Sequence, residues 1–217
     1  MEFYASMFNS IEINSSFYKL PQAATVKKWS ELVPDNFTFT LKLSKSVTHV
    51  KALNFNRVDV QSFMTIASQI GDKKGCILIQ FPPGLQNNLS KLDELLSIIK
   101  EIDHNSEWTL AIEFRHNTWY SENVYRLMES YKACLVTHDK PGSIPPVDEY
   151  ESDSVYLRFH GPGGSYRGSY ENNVLSEYAG YIKDWEEDGK TVYVYFNNTM
   201  GEAMQNLLQL NDYLRGI

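Results

Sequence analysis

The sequence predicts an α/β fold of the TIM-barrel type, with seven strands and a single domain over residues 1–217. Three observations predict it. Apolar runs of strand length alternate with amphipathic segments of helix length, the runs themselves alternate aliphatic with polar residues, and a polar side chain follows the end of each run. A chain of 217 residues is long enough to bury one sizeable core.

Seven segments alternate in the manner of strands, and turn-forming residues separate them from the helical segments. Pro34 ends a helix, Gly75 precedes the third strand and Pro82-Pro83-Gly84 forces a turn after it. The predicted strands are Ser10–Asn14, Phe37–Lys42, Cys76–Phe81, the run beginning at Leu110, Ala133–His138, Ser154–Phe159 and Thr191–Phe196.

The segments between the strands show helical periodicity and recognisable helix starts. Ser90 and Ser121 are the expected N-caps of two of them. The predicted helices are Ala24–Val33, Val58–Ile70, Lys91–Ile102, the segment from Ser121 to about Tyr131, Val174–Glu187 and Gly201–Leu214, and residues 2–8 resemble the end of a further helix. Residues 45–56 and the proline-containing segment 139–153 are expected to be loops.

The alternation within the strands favours a barrel over an open doubly wound sheet, whose strands would be apolar throughout. Seven strands are one fewer than the eight of a complete barrel, so the first strand is expected to be missing. Either the chain is shortened at its amino end, or the barrel has an open seam between the strands at residues 10–14 and 191–196. Because an open seam exposes strand edges, it would allow a partner chain to bind and form an oligomer.

Composition limits the partners and the compartment. The net charge of −7 and the pI of about 5.3 disfavour nucleic acid as a general partner, although a local basic cleft stays open. No segment approaches the roughly 20 apolar residues of a membrane span, and the amino end lacks a signal peptide. Cys76 and Cys134 both begin apolar runs, which predicts buried thiols and a reducing cytoplasm.

The parity of each strand predicts which side chains face the barrel interior. If the aliphatic residues, such as Ile77 and Ile79, face the helices, the opposite parity places a polar set at the carboxyl ends of the strands, where barrel active sites lie. Extending the fifth strand by one residue adds Asp139 and leaves His138 on the outer parity. The set comprises Glu12, Asn14, Lys42, Gln80, Glu113, Arg115, Asp139, Arg158, His160 and Asn197.

This set predicts a site for a small anionic or sugar-like ligand. Lys42, Arg115 and Arg158 are the expected anion-binding residues. Glu113, His160 and Asp139 are the expected proton-transfer residues, which makes them the catalytic candidates. Two alternatives stay open: an ion-pair network that only closes the barrel mouth, and a binding or assembly protein without turnover.

Aromatic residues and further histidines follow several strand ends. Trp119 and Tyr170 either stack on a ligand ring or pack beneath loops, and His116 lies in the loop after the fourth strand. Five residues have suitable chemistry for metal ligands, but no HxH, HExxH or CxxC spacing occurs; they are Glu113, His116, His138, Asp139 and His160. We therefore assign no metal residue, and the sequence does not identify a cofactor. A metal-dependent phosphodiesterase or nuclease is the alternative function. The glycine-rich segment 161–164 is interpreted as a connector rather than a phosphate cradle.

The motifs together resemble those of the DUF72 family, also called YecE-like. The resemblance covers nearly the whole chain and is carried by Glu12-Ile-Asn14, Lys42 with Thr48-His49, Gln80-Phe-Pro-Pro83, Glu113-Phe-Arg-His116 with Trp119, Arg158-Phe-His-Gly161 and Phe196-Asn-Asn198. It implies a TIM barrel and adds His49 and Asn198 to the ligand-binding set. Family members usually begin with a segment similar to Ile-Gly-Thr-Ser-Gly-Trp, which this chain lacks. The family has no established activity, so neither substrate nor reaction follows from the resemblance.

Overall fold

A computed structural model describes residues 1–146 and 149–216. The chain divides into two compact units, Met1–Ala133 (unit 1) and Cys134–Ile217 (unit 2), and each is described by itself. In the part of the chain that the model describes, no helix combines the length and hydropathy needed to cross a membrane.

Unit 1 alternates strands with helices, as the sequence predicts. Its strands are β1 (Ser10–Ile13), β2 (Thr38–Lys42), β3 (Lys74–Gln80) and β4 (Thr109–Glu113). Its helices are α1 (Glu2–Ala5), α2 (Ser15–Tyr18), α3 (Ala23–Glu31), α4 (Lys45–Thr48), α5 (Arg57–Ala67), α6 (Leu89–Ile102) and α7 (Glu122–Ser130).

Unit 2 has three longer strands that pair in parallel, a separate pair of two-residue strands and two long helices. Its strands are β5 (Cys134–His138), β6 (Ser154–Phe159), the two-residue β7 (Arg167–Gly168), β8 (Thr191–Phe196) and the two-residue β9 (Met200–Gly201). Its helices are α8 (Asn172–Glu187) and α9 (Ala203–Arg215). The bounds of β6 and β8 are those predicted, because both strands alternate regularly and begin and end at breaks in that alternation.

Strand register in unit 1 places the predicted polar residues on one face. β1, β2, β3 and β4 pair in parallel in that order. Lys42 is in register with Leu78, and Gln80 with Glu113. Since side chains alternate along a strand, Lys42, Gln80 and Glu113 lie on the same face of the sheet.

In unit 2, alternation along β6 and β8 places aliphatic side chains on the face that packs against the helices. Leu157 of β6 packs in a buried cluster with residues of α8 and α9, including Leu175, Ile182 and Leu210, and Val155, Val192 and Val194 pack against this cluster. The prediction that these aliphatic residues face the helices is therefore confirmed.

The predicted parity of β5 is wrong. His138 is in register with Arg158 and is 4% exposed, and its ring lies 6.2 Å from that of His160. His138 thus shares the face of Arg158, and the outer side of β5 carries Leu135 and Thr137. Asp139 does not continue the alternation, because β5 ends at His138.

Several loops contain structure that their sequences do not signal. The predicted loop at residues 45–56 contains α4 and a 3₁₀ turn at Lys51–Leu53, both too short to show periodicity. α6 begins one residue before Ser90, because the side chain of Asn88 caps it by accepting the N–H of Lys91 at 3.2 Å. Cys76 and Cys134 are both buried, as their apolar surroundings in the sequence predict. Residues 139–146 and 149–153 contain no helix or strand, and the rest of that predicted loop lies outside the described residues.

We expect the glycine at position 201 to be required by the close pairing of β7 with β9. A Cβ at Gly201 would lie 2.2 Å from the carbonyl oxygen of Gly168, so Gly201→Ala must push the two backbones apart. We predict that this substitution lowers the free energy of unfolding by roughly 1–3 kcal/mol, measured by urea denaturation.

Gly180→Ala is the matched control for this substitution. Gly180 lies within α8 and a Cβ there would meet no atom within 4 Å. Alanine at this position should raise the free energy of unfolding by about 0.5–1 kcal/mol, because it restricts the unfolded chain and favours helix. Equal effects of the two substitutions would contradict the close approach of β7 to β9.

Candidate functional site

The end of β4 in unit 1 carries a buried ion pair. Glu113 is the last residue of the strand and is 0% exposed, and the side chain of Arg115 is 8% exposed. Both Nε and Nη2 of Arg115 donate to Oε1 of Glu113. Residues two apart on an extended chain point the same way, which is why a local pair forms here. The predicted proton-transfer carboxylate and the predicted anion-binding guanidinium therefore bind one another in this structure.

A second polar group in unit 1 is centred on Lys42. Its ammonium donates to Oε1 of Gln80 at 2.8 Å and lies 4.5 Å from the centre of the Phe17 ring. His49 packs edge-on against the same ring at 4.8 Å. The pKa of His49 is below its ordinary value of 6.5, first because the ring is partly buried and then because the Lys42 ammonium is near. The structure thus brings together three predicted ligand-binding residues, Lys42, Gln80 and His49.

At the end of β1, Glu12 and Asn14 are joined directly. Nδ2 of Asn14 donates to Oε1 of Glu12 at 2.8 Å. The amide therefore acts on the carboxylate of its own strand, and this contact orients both side chains.

The loop after β4 separates two residues that were predicted to bind the same ligand. His116 is half-buried and its Nδ1 accepts the N–H of Thr118 at 3.2 Å. Trp119 is 0% exposed, stacks on Phe81 and Phe114, and donates its indole N–H to the carbonyl of Leu85 at 2.8 Å. The structure therefore places Trp119 in the core of unit 1 and not on a pocket wall.

Unit 2 contains a polar cluster at the carboxyl ends of β5 and β6. Oδ1 of Asp139 accepts the backbone N–H of His160 at 2.8 Å and faces the ring Nδ1 of His160 at 3.1 Å. Oδ2 of Asp139 accepts the hydroxyl of Tyr170, whose oxygen in turn accepts the N–H of Gly161 at 2.6 Å. Three predicted site residues, Asp139, His160 and Tyr170, are thus in direct contact.

The ionisation of Asp139 follows from these bonds. Burial raises the pKa of its carboxyl, but hydrogen bonds from His160 and Tyr170 outweigh that effect and hold the pKa below the ordinary 3.8. Burial, followed by the bond to this carboxylate, raises the pKa of Tyr170 above its usual value. At neutral pH the centre therefore holds a carboxylate that can only accept and a phenol that donates to it.

The carboxylate also decides the tautomer of His160. Because ionised Asp139 can only accept, Nδ1 of His160 carries the proton that points at it. The other nitrogen, Nε2, faces Nη1 of Arg158 at 3.4 Å. A guanidinium can only donate, so Nε2 presents its lone pair towards Arg158. His160 is 0% exposed and Arg158 is 4% exposed.

The glycine-rich loop after His160 is held close to the cluster. Gly161 has a φ of +92°, and a Cβ there would lie 2.1 Å from the carbonyl oxygen of Arg167. The N–H groups of Gly163 and Gly164 both donate to the carbonyl of Gly161 at 2.7 Å. They are therefore used within the loop, which supports its interpretation as a connector and not as a phosphate cradle.

An amide network that the sequence does not reveal lies behind Tyr170. Asn206 of α9 accepts the N–H of Tyr170 at 3.2 Å and the Nδ2 of Asn198 at 3.0 Å, and Asn198 also donates to the carbonyl of Gly168 at 2.9 Å. Backbone groups have fixed donor and acceptor roles, so both amides are oriented unambiguously. Asn206 was missed because a single asparagine in an amphipathic helix carries no distinctive signal.

Two buried polar atoms in and beside this network have no hydrogen-bond partner among the residues that the structure describes. They are Oδ1 of Asn198 and Nδ2 of Asn197, and the residue Asn198 is 0% exposed. An unsatisfied buried group costs about 1–3 kcal/mol. A native fold that retains such groups next to a polar cluster offers one acceptor and one donor for a further molecule.

The acidic and histidine residues of the predicted site are also chemically suitable metal ligands. Within residues 1–146 and 149–216, no group of three or more His, Cys, Asp or Glu side chains is placed to hold an ion. Asp139 and His160 hydrogen-bond to one another, so this pair forms an acid–base contact in the structure.

Comparison with known families identifies the chain. The family model described as "Protein of unknown function DUF72" matches residues 1–216. The chain belongs to the DUF72 family. The predicted resemblance is thereby confirmed, and the family is one of uncharacterised function.

Two curated relatives carry the family name UPF0759. YunF of Bacillus subtilis (strain 168) is 26% identical over 99% of this chain and 86% of its own length. YecE of Escherichia coli (strain K12) is 27% identical over 122 residues, which are 56% of this chain and 43% of YecE. The matched segment thus spans less than half of YecE.

Solved structures support the fold class. A DUF72 family protein from Enterococcus faecalis V583 is 24% identical with a TM-score of 0.81, covering 99% of this chain and 92% of that one. One from Thermotoga maritima is 25% identical with a TM-score of 0.75, covering 96% and 85%. The 3-keto-L-gulonate-6-phosphate decarboxylase of Vibrio cholerae shares the fold at 11% identity and a TM-score of 0.55, covering 98% and 87%. With seven parallel strands among the described residues, the predicted α/β fold of the TIM-barrel type is confirmed.

The buried pair of Glu113 with Arg115 leads to a stability prediction. Arg115→Met removes the guanidinium from a fully buried carboxylate, so the free energy of unfolding should fall by about 3–5 kcal/mol. Arg126→Met is the control, because Arg126 pairs with Glu122 on the surface and both are mostly exposed. That change should be worth about 0–1 kcal/mol. Urea denaturation of the two variants measures the difference, and equally small effects would show that Glu113 does not depend on Arg115.

Asp139 gives a prediction on pH dependence. Its folded pKa is lowered, so it contributes stability above its unfolded pKa, and this contribution declines as the pH falls through 3.8 towards the folded value. Asp139→Asn should therefore lower the melting temperature by several degrees at pH 7, and the gap to the unsubstituted protein should shrink below about pH 5. Thermal melts from pH 7 to pH 3 measure it. Asp184→Asn, at an exposed position of α8, should change the melting temperature little at any pH, and a gap that widens on acidification would contradict the assignment.

Proposed function

We propose that this protein binds a small anionic, hydroxyl-bearing molecule at the carboxyl end of β6 in unit 2, and that His160 exchanges a proton with it. The observation that carries the proposal is the position of His160 between Asp139 and Arg158. One ring nitrogen faces a carboxylate at 3.1 Å and the other faces a guanidinium at 3.4 Å. A base with a fixed tautomer beside a permanent cation is suited to a ligand that carries both an anion and an exchangeable proton.

Each member of the group has a separate task in this proposal. Arg158 binds the anionic group through its fork of N–H donors. A hydroxyl next to that anion then lies beside Nε2 of His160, which accepts its proton. Asp139 stabilises the imidazolium that forms, and Tyr170 keeps Asp139 ionised and oriented.

The burial of the cluster favours this chemistry and defines the route of entry. Electrostatic interactions are stronger where water is excluded, and His160 and Arg158 are almost entirely buried. Tyr166 lies edge-on to the His160 ring at 5.5 Å and is 42% exposed. We propose that the ligand enters by displacing Tyr166, whose φ of +65° is unusual for a residue with a side chain.

The unsatisfied amides support a ligand with hydroxyl groups. A hydroxyl can donate and accept at once. It therefore suits the acceptor left on Asn198 and the donor left on Asn197. Inorganic phosphate can accept from the amide donor of Asn197, but it has fewer protons to donate to the acceptor of Asn198. An anion that also carries a hydroxyl should therefore bind more tightly than phosphate.

The other predicted roles stay predictions. Glu113 as a proton-transfer residue, the anion-binding roles of Lys42 and Arg115, and the ligand-binding roles of Glu12, Asn14, His49, Gln80 and His116 all await a ligand. The cytoplasm stays the predicted compartment. The metal-dependent phosphodiesterase and the assembly protein likewise stay predictions.

The experiment uses inorganic phosphate and glycerol 3-phosphate as probes of the intact chain. Calorimetric titration should show that glycerol 3-phosphate binds at least about fivefold more tightly than phosphate. Arg158→Met should weaken both probes by roughly 10- to 100-fold, the range expected for losing a charge-assisted bond. Arg167→Met is the matched control, because Arg167 lies in the nearby β7 and is exposed; this variant should bind both probes with unchanged affinity.

Nuclear magnetic resonance separates proton transfer from binding. The Nε2 resonance of His160 should move on adding glycerol 3-phosphate, whereas the ring of exposed His104 in unit 1 should not. Asn197→Ala removes an amide donor that has no hydrogen-bond partner among the described residues, so the variant should fold normally and lose part of the preference for the hydroxylated probe. Binding that is equal in Arg158→Met and Arg167→Met, or an unmoved His160 signal at saturation, would overturn the proposal.

A further inference from the structure

A cavity of about 220 Å³ lies in unit 2 on the outer side of β5, away from His138. Its floor includes Leu135 and Thr137, both of which are partly exposed. The outer face of β6 and β8 is covered by α8 and α9. Between β5 and β6, by contrast, residues 139–146 and 149–153 form no helix. The cavity therefore exists because the helix that normally follows a barrel strand is absent from these residues.

The walls of the cavity carry two charged residues and an indole N–H that have no side-chain partner among the residues that the structure describes. The Lys190 ammonium and the Glu151 carboxylate both line it, yet they form no ion pair with each other or with another described residue. The indole N–H of Trp185 likewise bonds to none of the residues that the model describes. Trp185 packs one side against the core cluster of α8 and α9, and the carbonyl of Trp185 accepts the N–H of Lys190 at 2.9 Å. The two residues are thus held next to each other at the carboxyl end of α8.

We propose that this cavity binds an aromatic amino acid or a close analogue, a ligand class and a site that the proposed function does not include. The ligand carboxylate binds Lys190 and the indole N–H of Trp185. The ligand ammonium binds Glu151, and its ring packs against Trp185 and Tyr150.

Charge and size select this class over others. A simple anion would be attracted by Lys190 but repelled by Glu151, and a simple cation would be attracted by Glu151 but repelled by Lys190. A zwitterion can pair with both residues. The volume is below the roughly 300–1,000 Å³ of pockets for drug-sized molecules, which limits the ligand to about a dozen heavy atoms. The cavity lies on the opposite face of β5 from His138, so it is separate from the cluster around His160.

The test follows the indole N–H signal of Trp185 by nuclear magnetic resonance while L-phenylalanine is added to the intact chain. The sequence has four tryptophans, and Trp185→Phe identifies the signal by its loss. We expect a saturable shift of this signal below roughly 10 mM ligand. 3-Phenylpropionate, which lacks the ammonium, and phenethylamine, which lacks the carboxylate, should each bind at least about fivefold more weakly.

Variants of the two charged residues complete the test. Lys190→Met and Glu151→Gln should each weaken L-phenylalanine at least about fivefold. Lys183→Met is the control with unchanged affinity, because the Lys183 ammonium donates to the carbonyl of Tyr213 and does not line the cavity. If the indole signal does not move, the proposed binding site is wrong. If 3-phenylpropionate binds as tightly as L-phenylalanine, or if Lys190→Met binds L-phenylalanine with full affinity, the proposal of a zwitterionic ligand is wrong.

Discussion

The carboxylate of Asp139 is the contact on which the polar end of unit 2 depends. One oxygen holds both the backbone and the ring of His160, and the other holds the hydroxyl of Tyr170. Tyr170 in turn fixes the N–H of Gly161, where the glycine-rich loop begins. Since a buried carboxylate is tolerated only when its lone pairs are satisfied, these three donors and the charge of Asp139 require one another. The histidine tautomer follows from that requirement.

Unit 1 satisfies its buried carboxylate in a different way. Glu113 pairs with Arg115, which lies two residues further along the chain, just after the end of β4. Asp139 instead depends on residues 21 and 31 positions away. A local pair tolerates rearrangement of the surrounding loops, whereas the Asp139 cluster is disturbed if the loop after β6 moves. The cluster in unit 2 is therefore the one whose geometry a ligand can change, which is why the proposed function is centred there.

The sequence predicted those parts of the fold that are set by local alternation. Leu157 and Val194 face the helices as expected, because aliphatic residues at every second position leave only one face to bury. The error at His138 has the same origin. An inward-facing Asp139 requires a strand that continues to residue 139, but β5 ends at His138. Parity is reliable only within a strand, and a residue just beyond its end is placed by the bonds it makes.

The sequence predicts which residues form the candidate site, but it does not predict which of their atoms contact one another. Sequence spacing suggested that His160, Arg158 and Asp139 lie at one end of the strands, and the chemistry of each was evident from its type. Which nitrogen of His160 faces which partner depends on the conformation of the loops, and the alternation of residues in the sequence does not reveal that conformation. Asn206 illustrates the limit further, because its role arises only when α9 packs so that one amide meets both Tyr170 and Asn198.

The amide network also explains why Oδ1 of Asn198 has no hydrogen-bond partner among the described residues. Asn198 uses its donor group twice, on Gly168 and on Asn206, and both acceptors hold the backbone around β7 in place. Turning the amide over to satisfy its oxygen would break both bonds, so the unsatisfied acceptor follows from holding this loop. The same residues that fix the loop thus leave an acceptor free, and a hydroxyl-bearing ligand could use it without disturbing the bonds that support the loop.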